Sequence, residues 1–530
     1  MNFDFKTMPE HLFGPDTATP GYLAARWLFL RALGLIFFSA FYSLVFQIRG
    51  LIGPAGILPA RNYLAEVASA LGAQRFWFAP TVFWWSASDR TLMAVCIVGM
   101  VSSVLLVLNL FPRGALIVCL TAFLSFISAA QVFASYQSDG MLLEAGFISL
   151  FFAPSGWRPG WATSHPPSRA SRFLLIWLMF RIYFESGIAK ILGHDPEWRD
   201  FTAMNQYYQN GPLPTWLAWY AHHLPRSFHS ATAILTLVLE LVLIFAVFLP
   251  RRFRIALFFL MTPWQMGIIL TSNYAFLNYL VLVLGILLLD DKFLAPFVPK
   301  RLRHAPSPTD SDATSLVTSP RVIGWQSNVR LWVEAFWLSW VFYATMALLA
   351  FMVYPQAPFP RYPVRLLEPF RIANDFGLFA VMTRERYEIE FQGSRDGQTW
   401  TPYPFRYKPQ NIHAAPRIYA PYQPRFDWNL WFASLGNWRE NTFVLQVEKR
   451  LLVAEPDVLA LFAGNPFPGQ PPKQVRAVLW QYWFSDWNEK RQQGVWWRRE
   501  QIGFYAPTLE READGKLVIL AWPNTPDHMQ

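Results

Sequence analysis

The apolar stretch Phe173–Leu192 carries charged side chains at positions where a plain membrane anchor would have leucine. The stretch is long enough to cross a bilayer and contains Arg181, Glu185 and Lys190. A charge at membrane depth costs at least about 2.5 kcal/mol, so such residues usually pair, line a cavity or mark a site. Because Arg181 and Glu185 lie about one helical turn apart, we expect them to pair along one helix face.

Lys190, Arg31 and Glu240 are charged residues of apolar runs to which spacing alone assigns no partner. Lys190 lies near the predicted outer end of its helix and has two interpretations. It can snorkel, with its stem on apolar surface and its ammonium at the interface. Alternatively, a desolvated lysine can act as a base. For Arg31 and Glu240, which lie mid-span, a mutual contact is one hypothesis.

A second group of polar residues surrounds the predicted outer mouth of the same region. Asp139 and Glu144 flank the mouth of the third and fourth spans, and His222 with His223 lies on the same side. Together with Glu185 and Lys190, these groups could form an acid/base site. A metal site is not predicted, because adjacent histidines lack the spacing of ligands on one helix face. No cofactor is predicted either.

The composition is that of a polytopic membrane protein. Of 530 residues, 53% are hydrophobic and 15% are charged, against roughly 25% charged residues in soluble domains. The net charge of +10 is assigned to cytoplasmic loops, so nucleic-acid binding is not predicted. Cys96 and Cys119 both lie in apolar runs, which excludes a disulfide framework and a zinc pattern. Motifs of standard hydrolases and nucleotide-binding proteins are absent.

The apolar runs predict about nine membrane spans. Six have membrane length: Tyr22–Phe46, Leu92–Phe111, Ala115–Phe133, Phe173–Leu192, Ala231–Leu249 and Leu331–Val353. Three are shorter: Met141–Ala153, Ile255–Leu270 and Tyr274–Leu289. The shorter runs are either full spans covered by protein neighbours or re-entrant segments.

Basic residues predict the orientation of these spans. They occur in alternate connections: Arg113; Arg158, Arg169 and Arg172; Arg251, Arg252 and Arg254; and Lys292, Lys300, Arg301, Arg303, Arg321 and Arg330. Alternate connections share one side of a membrane, and the positive-inside rule assigns that side to the cytoplasm. The N-terminus is therefore predicted to be cytoplasmic and the C-terminus to be outside.

We divide the chain into a multi-span bundle (1–300), a flexible cytoplasmic linker (301–328), a last span (329–353) and a β-rich, sandwich-like extracytoplasmic domain (354–530). The linker is rich in Pro, Ser, Thr and Asp. The predicted strands of the domain are Tyr387–Phe391, Thr399–Tyr403, Lys473–Phe484, Trp496–Tyr505 and Leu517–Ala521. Its predicted short helices are Pro456–Ala463 and Asn429–Leu435.

Tryptophans beside charged residues are the candidates for a docking surface. They occur in Trp198-Arg199-Asp200 and in Asp427-Trp428. Such groups either fix loops, with tryptophan at the membrane interface and arginine paired to aspartate, or bind another protein. The histidines His222 and His223 are included among the candidates for client binding.

Ten segments of the chain are similar to segments of the lipase maturation factor family and occur in the same order as in that family. They are Gly50–Pro59, Asp139–Gly146, Trp198–Asp200, Gly211–Pro214, Trp219–Pro225, Asn273–Asn278, Pro369–Asn374, Phe391–Gly397, Phe405–Pro409 and Pro424–Trp428. The resemblance implies a multi-pass protein of the endoplasmic reticulum that helps secreted lipases fold and assemble. Its implied partners are the membrane and secreted client proteins. A bacterial inner membrane with a periplasmic domain would be topologically equivalent.

One helix has a second resemblance. Tyr183-Phe184-x-x-Gly187-x-x-Lys190, followed by Trp198, is similar to a helix of vitamin K-dependent γ-glutamyl carboxylases, in which the matching lysine is regarded as the catalytic base. Two functional hypotheses follow. The preferred one is a folding or maturation factor acting through its extracytoplasmic domain. The alternative is a membrane enzyme that modifies a lipid, quinone or protein, with Lys190 as base.

Overall fold

The computed structural model describes residues 12–14, 21–160, 166–297, 325–512 and 514–524, and the side chains of these residues apart from 325–328. The predicted linker 301–328 lies outside the described residues, except at its end. There the last membrane-type helix begins at Trp325.

Nine helices of the described chain lie in the nine apolar runs. They are α1 Leu23–Val45, α2 Asp89–Val107, α3 Pro112–Ala129, α4 Gln137–Phe152, α5 Arg169–Leu192, α6 Arg226–Leu241, α7 Arg251–Thr271, α8 Leu277–Gly285 and α9 Trp325–Val353. Tight 3₁₀ turns extend two of them, Leu243–Phe248 after α6 and Ile286–Leu288 after α8. Six of the nine, namely α1, α2, α3, α6, α7 and α9, are long and apolar enough to cross a membrane. Crossing by α4, α5 and α8 stays a prediction, as does the sidedness.

Aromatic side chains form the centre of the bundle. Phe37 and Phe41 of α1 are fully buried and meet the ring of Phe123 in α3 edge-on, with centroid distances of 6.2 and 5.8 Å. Phe29 of α1 meets Phe152 of α4 in the same way at 5.8 Å. Because lipid tails are as apolar as these side chains, close packing rather than escape from water favours such contacts.

Short helices and 3₁₀ turns occupy the connections. The α-helical ones are Ile48–Ile52, Ala60–Leu71, Arg75–Phe78, Pro196–Arg199, Met204–Asn210, Trp216–His222, Asp291–Leu294, Tyr362–Arg365, Pro456–Leu459 and Trp487–Gln493. The remaining 3₁₀ turns are Gly72–Gln74, Val82–Trp84, Gln131–Ala134 and Glu368–Phe370. The connection between α5 and α6 holds three of the short helices and contacts the C-terminal part of the chain.

The C-terminal part contains one antiparallel sheet. Its strands are β1 Arg386–Ser394, β2 Thr401–Pro402, β3 Gln474–Phe484, β4 Trp497–Phe504, β5 Thr508–Arg511 and β6 Leu517–Ala521. The strand order is β2-β1-β3-β5-β6, and β4 also pairs with β3. Two helices, α10 Arg425–Ala433 and α11 Phe443–Leu452, contribute to its core.

The β-rich character of this domain is confirmed, whereas its predicted sandwich architecture is not. The strand predicted at Leu517–Ala521 is present with the same bounds. The strand predicted at Lys473–Phe484 is one residue shorter at its start, and the one predicted at Trp496–Tyr505 is one residue shorter at each end. The described residues show helices against one sheet instead of a second sheet facing it. The helix α11 and the strand β5 were not predicted.

Candidate functional site

The charged residues of α5 meet an irregular segment from the C-terminal part, residues 372–383, which we call the strap. Residues 374–377 of the strap have no regular secondary structure. Their backbone N–H and C=O groups therefore need partners outside any helix or sheet ladder, since an unpaired buried backbone group is costly. Side chains of α4 and α5 supply several of these partners.

Arg181, Glu144 and Asn374 form the first attachment of the strap. Arg181 makes ion pairs with Glu144 of α4 and, at 3.5 Å, with Glu185. It also donates to the backbone oxygen of Asn374 at 2.5 Å. Glu144 in turn accepts from the backbone and side-chain nitrogens of Asn374, both at 3.0 Å. The pairing of Arg181 with Glu185, predicted from helical spacing, is present as part of this larger network.

Further along α5, the strap is bound at every second residue. Glu185 accepts from the Phe376 N–H at 2.8 Å, and the Ser186 hydroxyl accepts from the Leu378 N–H at 3.3 Å. The guanidinium of Arg181 lies 5.2 Å from the centre of the Phe376 ring. With Asn374, the N–H groups of alternate strap residues are thus bound by side chains of α4 and α5.

Lys190 is buried, with 2% of its surface exposed. Its ammonium donates to Glu240 of α6 at 2.8 Å, to the Leu378 oxygen at 2.9 Å and to the Ser186 oxygen at 3.3 Å. The ring of Trp198 lies 5.1 Å away. Lys190 therefore does not snorkel to an interface. The hypothesis of an Arg31–Glu240 contact is wrong, because Glu240 pairs with Lys190 and Arg31 donates to the Trp27 oxygen.

A glycine allows α6 to approach α5 closely enough for the Lys190–Glu240 pair. A Cβ atom placed on Gly187 would lie 2.8 Å from Leu241 Cδ2 and 3.0 Å from Glu240 Cβ. Both distances are shorter than ordinary van der Waals contact. Gly187 therefore fixes the separation of the two helices at the level of the ion pair.

The strap continues beyond α5 along the connection to α6. The indole of buried Trp198 donates to the Phe379 oxygen at 2.9 Å. Asp195 accepts from the Met382 N–H at 2.6 Å, and Asn210 donates to the Thr383 oxygen at 2.7 Å. Trp198 thus fixes a loop, as one of the two interpretations of the tryptophans predicts. Its neighbours are exposed, namely Arg199 and Asp200.

Asp139 belongs to a second attachment between the two parts of the chain. Its carboxylate accepts two hydrogen bonds from Arg425 of α10, at 2.8 and 2.7 Å, and both residues are almost fully buried. Arg425 also donates to the Phe133 oxygen at 2.7 Å. Such a bidentate pair combines charge with fixed geometry. Asp139 is therefore engaged with the C-terminal domain and not with Lys190.

The two histidines pack against tryptophan and phenylalanine rings. His223 Nδ1–H donates to the Trp219 oxygen at 2.7 Å, and the His222 ring lies 5.5 Å from that of Phe484. Burial lowers the pKa of His222 to about 4, with a smaller contribution from His223 and His229. Within the described residues, no group of three His, Cys, Asp or Glu side chains could hold a metal ion.

Asp427 and Trp428 lie at the base of the C-terminal domain and are largely buried. Asp427 accepts from the Lys408 N–H at 3.2 Å, and burial raises its pKa to about 7 against the opposing charge of Lys408. The Trp428 ring meets that of Tyr136 edge-on at 5.3 Å. Trp428 therefore contributes to the contact between the domain and the bundle, whereas Asp427 is bound within the domain.

Two adjoining cavities lie next to the strap. The inner cavity, of about 270 Å³, is lined mainly by apolar groups and by Lys190 and Glu240. The outer cavity, of about 680 Å³, lies between the bundle and the C-terminal domain, and Trp428 forms part of its wall. Tyr207 and Tyr274 line both cavities.

The predicted acid/base cluster is thus divided among different attachments. Glu144 and Glu185 hold the strap near Arg181, Lys190 holds it near Glu240, and Asp139 binds Arg425. The histidines contact none of these groups in the described structure. Sequence reasoning missed Asn374 and Arg425 as partners, although both lie in segments that carry the family resemblance. It also missed the pairing of Lys190 with Glu240.

Comparison with known proteins agrees with this architecture. The family profile described as "Lipase maturation factor transmembrane domain" matches residues 24–296, and "Lipase maturation factor C-terminal domain" matches residues 372–507. Lipase maturation factor 1 of Bos taurus is 32% identical, with 94% of this chain and 91% of that protein covered. Lipase maturation factor 2 of Gallus gallus is 31% identical, with 91% and 81% covered. No solved structure matches. The chain belongs to the lipase maturation factor family.

Proposed function

We propose that this protein is a membrane-embedded folding and maturation factor for secreted lipases, acting through its C-terminal domain. The observation that carries the proposal is the match of both family domains, with relatives named lipase maturation factor aligned over nearly the whole chain. The strap and the Arg425–Asp139 pair support it physically. They join the C-terminal domain firmly to the bundle, so that a client bound to the domain would be held at the membrane.

The domain would face away from the cytoplasm, where secreted clients fold. The distribution of arginine and lysine supports this orientation. The membrane would be that of the endoplasmic reticulum, or the inner membrane of a bacterium. A reporter active only outside the cytoplasm should work when fused after Trp522 and fail within residues 301–324. The reverse pattern would overturn the orientation.

The geometry of Lys190 does not favour the enzyme alternative. A general base needs a free lone pair within reach of its substrate. The Lys190 ammonium donates hydrogen bonds to Glu240, to the Leu378 oxygen and to the Ser186 oxygen. All three partners accept hydrogen bonds, so the N–H groups of the ammonium are occupied inside the protein.

A paired substitution tests this choice. Replacing both members of a buried ion pair with apolar residues of similar size is often neutral for stability. Cells lacking their own maturation factor would express a secreted lipase together with the wild type or with the Lys190→Met/Glu240→Leu variant. We expect the variant to restore lipase activity in the medium nearly as well as the wild type.

Two results of this experiment would contradict the proposal. Loss of maturation by a normally expressed variant that still binds the lipase would favour chemistry at Lys190. Failure of the wild type itself to raise the secreted activity per lipase molecule would overturn the maturation function.

A further inference from the structure

The strand β6 forms an open edge of the sheet. It pairs with β5 on one side, and its other side carries no backbone hydrogen bond within the described residues. Along a strand, the backbone N–H and C=O groups of successive residues point to opposite sides, so the bonds already made show which groups are free. The Arg511 N–H donates to the Lys473 oxygen, on the side away from β6. The backbone groups of Glu510 therefore face Val518, and those of Leu517 and Ile519 point out of the sheet.

The side chains along this edge are apolar and exposed. The exposed fractions are 40% for Leu517, 47% for Ile519, 48% for Leu520 and 63% for Trp522. No charged residue lies between Leu517 and Trp522. Natural sheets usually protect an open edge with lysine, proline or a covering segment. Here a single bulge at Leu520 is the only such device within the strand.

We propose that β6 binds an extended apolar segment of an immature client protein, which adds a strand to the sheet. The inference rests on the proposed maturation function and identifies the surface and the chemistry of its client. Alternating N–H and C=O groups at strand spacing are complemented by an extended polypeptide and not by a lipid. Exposed apolar side chains beside them suit a segment that is destined for the interior of the folded client.

The length of β6 argues against a second copy of this chain as the occupant. An edge-to-edge pair of five-residue strands would bury far less than the roughly 1,000 Å² expected of a stable interface. Brief binding of a short strand is instead the behaviour that a folding factor requires, because the client must leave once it has folded.

Binding of a model strand to the full-length protein in detergent tests the proposal. The probe is a labelled synthetic peptide of alternating valine and threonine, about eight residues long, within the usual length of a strand. Its control is the same peptide with N-methyl groups on alternate residues, which removes donors from one edge. We expect saturable binding of the probe, at least tenfold weaker binding of the methylated copy, and slower hydrogen exchange of the Leu517 and Ile519 amides.

Two substitutions at one position separate backbone pairing from side-chain contact. Ile519→Pro removes an outward N–H while sparing the bonds to β5, and proline is tolerated at such edge positions. Ile519→Ala keeps the N–H. The proline variant should lose binding and the alanine variant should retain most of it, with unchanged thermal unfolding in both. Equal binding by the proline variant and the wild type would overturn the proposal.

Other occupants have their own signatures, each of which would overturn the proposal. A dimer in light scattering that Ile519→Pro abolishes, without peptide binding, would identify a second copy. Protection of the Leu517 amide that disappears on deletion of residues 525–530 would identify the chain's own terminus. If the wild type matures the lipase and Ile519→Pro does so equally well, the maturation function stands and the strand-addition site fails.

Discussion

At the scale of single residues, the buried charges of α5 bind backbone as well as one another. Arg181, Glu185 and Lys190 each make a hydrogen bond to a backbone group of the strap. A buried ion pair alone offers little net stability, because desolvation offsets the attraction. The additional bonds pair more of these charged atoms with backbone groups, and they attach a distant segment at a defined register.

His222 should make the stability of the protein depend on pH on the acid side. Its pKa is lowered to about 4 in the folded state, whereas an unfolded histidine titrates near pH 6.5. Its contribution is therefore complete above pH 6.5 and is lost as the pH falls towards 4. The thermal unfolding midpoint of His222→Gln should fall less than that of the wild type between about pH 7 and about pH 5. His194→Gln, at an exposed position, should behave as the wild type, and equal slopes in all three proteins would contradict the prediction.

Sequence spacing predicts local pairs and not distant ones. Arg181 and Glu185 are one helical turn apart, so their contact follows from the helix alone. Lys190 and Glu240 lie on different helices, and their contact depends on how α5 and α6 pack. Asn374 and Arg425 lie in the C-terminal part of the chain, outside all nine apolar runs. The charges within those runs therefore do not predict them as partners.

At the scale of helices and strands, Gly187 controls the approach of α6 to α5. Gly187→Ala should destabilise the protein by about 1–3 kcal/mol, the usual cost of overpacking. Gly267 of α7 is the matched control, because a Cβ atom there would meet nothing within 4 Å. Thermal unfolding in detergent should show a lower midpoint for Gly187→Ala and an unchanged or higher one for Gly267→Ala. Equal midpoints for the two variants would contradict this account.

Hydrophobic runs predict the elements better than their arrangement. Each of the nine apolar runs contains a helix. For the runs of membrane length, twenty or so apolar residues leave few alternatives in lipid. The strap has no such signal, since residues 374–377 form neither helix nor strand and are fixed only by side chains of α4 and α5. The prediction of a sandwich identified some of the strands. It did not identify the helices that cover the sheet.

At the scale of the whole molecule, buried polar contacts join the bundle to the C-terminal domain. Arg386 of β1 donates to the oxygens of Gln209 and Pro212, both at 3.0 Å. Asn273 accepts from the backbone of Tyr419 at 2.6 Å. With the strap and the Arg425–Asp139 pair, these bonds make independent movement of the domain costly.

Removing Arg425 should loosen this junction. Arg425→Ala leaves Asp139 buried without its partner, which costs about 3–5 kcal/mol. Limited proteolysis should then cut between the bundle and the domain, and the unfolding midpoint should fall. Arg439→Ala, at an exposed position of the same domain, should change neither. Wild-type resistance of Arg425→Ala to the protease would show that the pair does not hold the junction.

The strap also imposes an order on the biosynthesis of the molecule. Lys190 is synthesised long before Leu378, its backbone partner 188 positions later. Until then, part of the polar surface of α5 must be satisfied by water or by insertion machinery. A chain that ends before the strap would leave Arg181, Glu185 and Lys190 without these backbone hydrogen bonds. The C-terminal part of the chain therefore completes the hydrogen bonding of α5.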